Sequence, residues 1–306
     1  MSTFVELLPG QYNTAAFSAF DPTAAGFTIG NARAMMWFSQ LAYETGKKPT
    51  IDQIGPLWGF TSVAPFTKHK IDITASFDTC GIIGERQGAV ILGFGGTDPA
   101  VWENLATDFI NIRPQPDTNT HAGFQAALDS ARPEVEQAIQ MARQANKPLF
   151  ITGHSLGGAL AALAAQFADS TGGAPRAIYV FGMPRAGGET FQAAYNARLG
   201  AVTFRLVHGL DVVARVPMSG IGFRHVGRVL QCQEGEKFNP AALSADVSDE
   251  PEFSDGLAQT LRSGVEGFLS GHLFSPPGPG TFGPLFKFLP RPIRDHLQDC
   301  YYNALT

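Results

Sequence analysis

Residues 149–168 read LFITGHSLGGALAALAAQFA. An apolar run of this length resembles a membrane span, but Gly153, His154, Ser155 and the Gly157-Gly158 pair interrupt it. Leu149 to Thr152 suits a buried strand, and the alanine-rich run from Leu156 to Ser170 suits a buried helix. Between them, Gly153-His154-Ser155-Leu156-Gly157 fits G-x-S-x-G, a pattern that needs a strand before it and a helix after it. A sharp strand-to-helix turn puts the serine in strained backbone geometry, and bulk at the flanking glycines would collide with neighbouring elements. The serine hydroxyl is then held at the carboxyl edge of the sheet, above a helix N-terminus that favours developing negative charge. The plain alternative is a glycine-rich turn with an ordinary helix cap, and the flanking strand and helix favour the first reading. Ser155 is the candidate nucleophile.

The same rhythm extends in both directions. Upstream, Asn31 to Glu44 predicts a helix with Asn31 as its cap, and Thr79 to Phe94 predicts a hairpin turning at Arg86-Gln87-Gly88. Asp98-Pro99 opens a short helix on which Val101, Leu105 and Phe109 repeat at helical spacing. Gly123 to Asn146 reads as helix restarting at Pro133. Downstream, Ala177 to Phe181 and Val202 to Val207 read as strands. Alternating strands and helices imply right-handed crossovers and a mostly parallel sheet, with chemistry at the strands' carboxyl ends. The expected fold is α/β, of the α/β-hydrolase type, with helices on both faces of a mostly parallel central sheet. Residues 233–290 depart from the rhythm: they are rich in Gly and Pro, with SPPGPG at 275–280. Leu257, Leu261, Val265, Phe268 and Leu269 form an amphipathic stripe there. This stretch is expected to be an insertion packed on one domain that spans 1–306.

Composition narrows the partners. Charged residues make up only 16% of the 306, beside 24 Phe, which suggests an apolar patch of surface facing lipid or another subunit. A net charge of −5 offers no basic excess to meet nucleic-acid phosphates. Cys80, Cys232 and Cys300 are too few and too scattered for a disulfide framework or a zinc site, so free thiols are expected. Residues 1–10 carry no Lys or Arg ahead of an apolar run, so no signal segment or transmembrane span is expected. Cytoplasmic location is the default expectation, with secretion by another route as the alternative.

A serine nucleophile needs a base, and the base needs an orienting acid; in this fold they follow in the order Ser, acid, His. Asp211 stands just past the strand ending at Val207, whereas Asp169 lies on the Ser155 helix and Asp246, Asp249 and Asp255 lie in the acidic insertion. Three histidines follow Asp211: His225 near an edge strand, His272 on the amphipathic stripe, and His296 at the start of a terminal helix. Spacing alone does not choose His296 over the others.

Several segments together resemble the class 3 lipase family, which includes the triacylglycerol lipases of filamentous fungi. Phe94-Gly95-Gly96-Thr97-Asp98 is similar to FRGT(D/S), His121-Ala122-Gly123-Phe124 to HxGF, and Gly153 to Gly158 to the family elbow. Phe181 to Gly187 resembles FGxPRxG, Arg205 to Val213 the segment around the acid, and Asp295-His296 with Tyr301 the DHxxxxY ending. The segments fall in family order between Thr79 and Tyr301. The resemblance implies Ser155 as nucleophile, Asp211 as acid and His296 as base, with an oxyanion hole from Thr97 and the backbone N–H of Leu156. It also implies a lid at about 98–110, with Val101, Trp102, Leu105 and Phe109 as its apolar side. Two departures stand out: Gly95 replaces the usual arginine, and the 233–290 insertion is longer than the family leads one to expect.

The implied reaction is two-step acyl transfer from an ester, with no metal or organic cofactor. The implied substrates are water-insoluble acylglycerols, met through transient contact with a lipid interface. The same scaffold serves phospholipase A1 and short-chain or feruloyl-type esterases. A non-catalytic lipase-like binding protein is a further alternative, against which the intact set of Ser155, Asp211, His296 and Thr97 argues.

Overall fold

A computed structural model of the chain describes residues 7–71, 76–96, 114–115, 119–244 and 291–306. Its centre is a seven-stranded sheet. Strands β1 (Phe60–Ile71), β2 (Ser76–Arg86) and β3 (Ala89–Phe94) form an antiparallel meander. From β3 the sheet continues in parallel through β4 (Leu149–His154), β5 (Ala177–Phe181), β7 (Thr203–His208) and β9 (Arg228–Cys232). The strand order is β1-β2-β3-β4-β5-β7-β9. A two-stranded ribbon of β6 (Gly187–Gly188) and β8 (Phe223–Arg224) lies apart from it.

Why the central strands are strands is visible in their side chains. On β3, Val90, Leu92 and Phe94 enter one apolar cluster while Ala89 and Ile91 enter another, the two-residue alternation of a sheet buried on both faces. Strand β5 divides in the same way, with Ile178 and Val180 on one side and Ala177, Tyr179 and Phe181 on the other. One face is covered by helices α3 (Ala122–Ser130), α4 (Arg132–Gln144) and α5 (Leu156–Ser170). The other is covered by α1 (Ile29–Leu41), α2 (Lys48–Leu57) and the C-terminal helix α8 (Gln298–Ala304). Helix α6 (Glu189–Leu199) flanks the first face, and α7 (Arg291–Arg294) precedes α8. The result is the expected α/β architecture with a mostly parallel sheet.

Local readings differ in detail. The cap of α1 is Thr28, whose hydroxyl accepts from Asn31 N–H at 3.0 Å. Asn31 itself is buried and ties the helix to Asp21 through two hydrogen bonds of 2.7 and 2.8 Å. The hairpin turns where Arg86 pairs with Ala89, with Gly88 at φ 84°. Among the described residues aromatic side chains fill the interior: Phe17 meets Phe38 and Phe60 edge to face and Trp58 at a tilt, and Phe38 stacks on Phe60. Among the described residues only Leu8, Leu57 and Leu210 are exposed large apolar side chains, so the low charge does not appear there as an apolar patch. Cys232 and Cys300 carry free thiols. Among the described residues no helix is long and apolar enough to cross a membrane.

The expected lid at 98–110, with Val101, Trp102, Leu105 and Phe109, lies outside the described residues, as does Thr97. So do residues 245–290 of the expected insertion, which carry the Leu257–Leu269 stripe and His272. Its first residues, 233–244, pack back on the end of the chain. Phe238 N–H donates to Ala304 O at 3.0 Å, and Ser244 bridges to Val229 on β9.

Candidate active site

Strand β4 ends at His154, helix α5 begins at Leu156, and Ser155 between them has φ 60° and ψ −133°. A non-glycine residue with positive φ is strained, and it persists here because its surroundings hold it on every side. Ser155 N–H donates to Phe181 O at 2.9 Å, and its carbonyl accepts from Gly158 N–H at 2.9 Å. The flanking glycines are sterically required. A Cβ on Gly153 would run into the Gly157 carbonyl, and one on Gly157 would lie 2.5 Å from Phe94 O. Ser155 Oγ is buried and has no hydrogen-bond partner among the described residues. Leu156, also buried, is the first residue of α5, where backbone N–H groups have no acceptor within the helix.

The chain leaving β3 passes directly against this turn. A Cβ on Gly96 would sit 2.9 Å from both His154 O and Ser155 Cβ. The segment leading to Thr97 therefore departs from beside Ser155. Gly95, where the resembled family has arginine, has a physical reason of its own. A Cβ there would lie 2.7 Å from Cys80 Sγ and 2.9 Å from Ala42 O.

Asp211 and His296 are brought together from 85 residues apart. Nδ1 of His296 lies 2.8 Å from each Asp211 oxygen, and both side chains are fully buried. Asp211 Oδ1 also accepts from Val213 N–H at 2.8 Å, and the Tyr301 hydroxyl donates to Oδ2. Burial by itself would raise the Asp211 carboxyl. The neighbouring His296 and the hydrogen bonds from His296 and Tyr301 outweigh it and hold the carboxyl below its ordinary value. With Nδ1 on the carboxylate, Nε2 is the nitrogen on the far side of the ring. Gly182, at φ 54°, gives the pair its room: a Cβ there would lie 2.6 Å from Asp211 Oδ2 and 2.8 Å from the His296 ring. The Phe181-Gly182 step thus touches Ser155 on one side and the Asp211–His296 pair on the other.

The competing candidates have other occupations. Nε2 of His225 donates to Ala214 O at 2.6 Å in a buried position. Asp169 pairs with Arg198 at the surface. His272, Asp246, Asp249 and Asp255 lie outside the described residues.

Several residues that sequence patterns did not single out complete the neighbourhood. His154, the variable position of the elbow, donates from Nε2 to His296 O at 2.8 Å and accepts at Nδ1 from the Tyr43 hydroxyl at 2.9 Å. Both bonds suit a neutral ring, and burial, reinforced by the nearby His296, pushes its pKa well below the usual value. Its ring centre lies 4.5 Å from that of His296, so the loop carrying His296 rests on the residue before Ser155. Arg185, buried, donates to Arg215 O at 2.5 Å and Pro217 O at 2.9 Å, bracing the loop that follows Asp211. Their signals in the sequence are the position of His154 in the elbow, of Arg185 in the Phe181–Gly187 segment and of Tyr301 in the C-terminal motif.

Residues 93–220 match the model of the family described as Lipase (class 3). A secreted mono- and diacylglycerol lipase A from Penicillium cyclopium is 31% identical over 226 residues, which cover 72% of this chain and 73% of that protein. A secreted mono- and diacylglycerol lipase 1 from Fusarium solani is 34% identical over 147 residues. The match takes in 47% of this chain and 42% of the Fusarium protein, so the chain spans less than half the length of that relative. Among solved structures, a Rhizomucor miehei lipase in complex with its propeptide superposes with a TM-score of 0.56 at 20% identity. That superposition covers 83% of this chain and 88% of the other.

These relatives correct the expectation of a cytoplasmic protein, since those from Fusarium solani and Penicillium cyclopium are named as secreted. A leader is a removable address and no part of the fold, so the character of residues 1–10 does not decide the compartment.

Proposed function

Because the chain belongs to the class 3 lipase family, we propose that it hydrolyses carboxylic esters of acylglycerols with Ser155 as nucleophile, His296 as base and Asp211 as orienting acid. The observation that carries this reading is the buried Asp211–His296 pair, resting through Gly182 and His154 on the strained turn that presents Ser155.

His296 Nε2 takes the Ser155 proton as Oγ attacks the ester carbonyl. The imidazolium that forms keeps its Nδ1–H on Asp211, which stays ionised and compensates the charge. The tetrahedral oxyanion is held by the N–H of Leu156 together with the backbone and hydroxyl of Thr97. Each such donor is typically worth a factor of about 10²–10³ in turnover. His296 returns the proton to the departing alcohol, and water repeats the sequence on the acyl-enzyme.

Complete burial of Ser155, Asp211 and His296 supports a cover that moves when substrate enters. We assign that role to residues 98–110, which follow from Gly96 beside Ser155, with Val101, Trp102, Leu105 and Phe109 as the side that meets lipid. Apolar exposure that is costly in water becomes favourable at an oil surface.

Ser155→Ala is expected to lower ester hydrolysis by a factor on the order of 10⁶ and to abolish labelling by a fluorophosphonate probe, with the circular dichroism spectrum unchanged. Hydrolysis retained by that variant overturns the assignment of Ser155. Rates over a series of glycerol esters, below and above their solubility limit, test the substrate class. A jump at the limit supports a lipase with a moving cover, and its absence replaces that reading with an esterase.

A further inference from the structure

A second constellation lies behind the Asp211–His296 pair, and the acyl-transfer chemistry does not use it. His208 at the end of β7, Asp295 and Cys300 each offer one ligand-type atom, an imidazole nitrogen, a carboxylate oxygen and the thiol Sγ, and the three lie within 4.8 Å of one another. His208 is 5% exposed and Asp295 fully buried. Yet His208 Nδ1 and Asp295 Oδ1 both lack a hydrogen-bond partner among the described residues. A buried polar atom without a partner is costly, and two that face each other ask for a common one.

The separation indicates what kind of partner fits. His208 Nδ1 and Asp295 Oδ1 stand 3.6 Å apart, longer than a hydrogen bond. Two ligands bound at roughly 2.0–2.2 Å across a tetrahedral angle stand about 3.4 Å apart. The rest of the carboxylate is already oriented: Oδ2 accepts from Leu210 N–H at 2.8 Å and lies 3.5 Å from Arg291 Nε. Cys300 Sγ currently donates to Arg294 O at 3.3 Å, a weak bond that a metal–thiolate bond replaces at small cost.

We propose that His208, Asp295 and Cys300 form a binding site for a thiophilic divalent cation of the zinc class. The mixed N, O and S donor set suits zinc better than calcium or magnesium. Cysteine spacing does not reveal the site because only one of the three ligands is a cysteine, and the others come from a strand end and the residue before His296. A cation held there ties β7, the His296 loop and α8 together behind the catalytic pair, and it stabilises the folded chain through its preference for that state.

The test uses the full chain, stripped with a chelator and titrated with Co²⁺ and then Zn²⁺. The expected result is one equivalent of cobalt with a thiolate-to-cobalt absorption band, its displacement by one equivalent of zinc, and a rise in Tm with zinc. Cys300→Ser is expected to abolish the band and weaken zinc binding by at least about 100-fold, since even outer-shell partners are worth 10–100-fold. His208→Gln is expected to weaken binding comparably, and Cys80→Ser to leave it unchanged. Absence of the band and of stoichiometric zinc binding in the unsubstituted chain overturns the proposal, whatever the folding of the variants. A band that survives Cys300→Ser overturns it as well, and His208–Asp295 is then an ion pair only.

Discussion

Asp211 gathers more donors than any other side chain of the site: His296 Nδ1, the Tyr301 hydroxyl and Val213 N–H all point at one buried carboxylate. A buried charge is tolerated only when it is hydrogen-bonded and paired in this way, and each donor also fixes where the His296 ring sits. Asp211→Asn keeps the shape but replaces an acceptor with an amide that can donate, which favours the wrong imidazole tautomer. The expected outcome is a fall in kcat on the order of 10⁴ with folding preserved, read by steady-state hydrolysis beside a melting curve. Tyr301→Phe removes one charge-assisted bond, and the hydroxyl also accepts from His208 N–H at 3.2 Å. Stability is expected to drop by about 1.5–3 kcal/mol in urea unfolding. An unchanged midpoint and slope for this variant would mean that the hydroxyl does not hold the carboxylate.

At the level of elements, the legible parts are those in which one force dominates. Strands β3, β4 and β5 and the first ten residues of helix α5 are buried throughout, so continuous apolar runs bounded by glycines announce them. Strand β1 is an edge strand carrying Pro65 among polar residues, a pattern that gives no clean alternation. Helix α6 buries only Phe191, Tyr195 and Leu199, one narrow stripe in a polar sequence. The Ser155 turn could be read because glycines are required within five residues. The contacts of Tyr43, His154 and His296 could not, since they join positions 111 and 142 residues apart. That steric requirement is testable. Gly157→Ala places a methyl against two backbone carbonyls, of Phe94 and Gly95, that cannot yield as a side chain would. A loss of at least about 1–3 kcal/mol is expected, with reduced hydrolysis because the segment entering at Gly96 is displaced. Gly46→Ala, with nothing within 4 Å of the added methyl, is the matched control and is expected to stay within about 0.5 kcal/mol. Equal unfolding midpoints for the two variants would sink the argument.

For the molecule as a whole, the burial that gives the sheet two covered faces also traps three imidazoles in the neutral form. Burial pushes His121 down to about 4 and drives His154 and His225 well below the ordinary histidine value. In the unfolded chain all three titrate near 6.5. Their contribution to stability is therefore complete above about pH 6.5. It is lost as pH falls below that value, because the unfolded state takes up protons that the folded state refuses. For His121 the loss levels off near pH 4, where the folded ring protonates too. Each such group adds a slope of about 1.4 kcal/mol per pH unit, so the three together supply up to about 4 kcal/mol per unit below pH 6. Urea unfolding measured at intervals between pH 7 and pH 4.5 is expected to show that steep decline. His121 caps α3 by accepting from Phe124 N–H, a function asparagine also performs. His121→Asn should therefore preserve the fold and flatten the decline by about one proton's worth. If the slope in that variant matches the unsubstituted chain, the folded protein protonates His121 as readily as the unfolded one, and burial is not what sets its acid sensitivity.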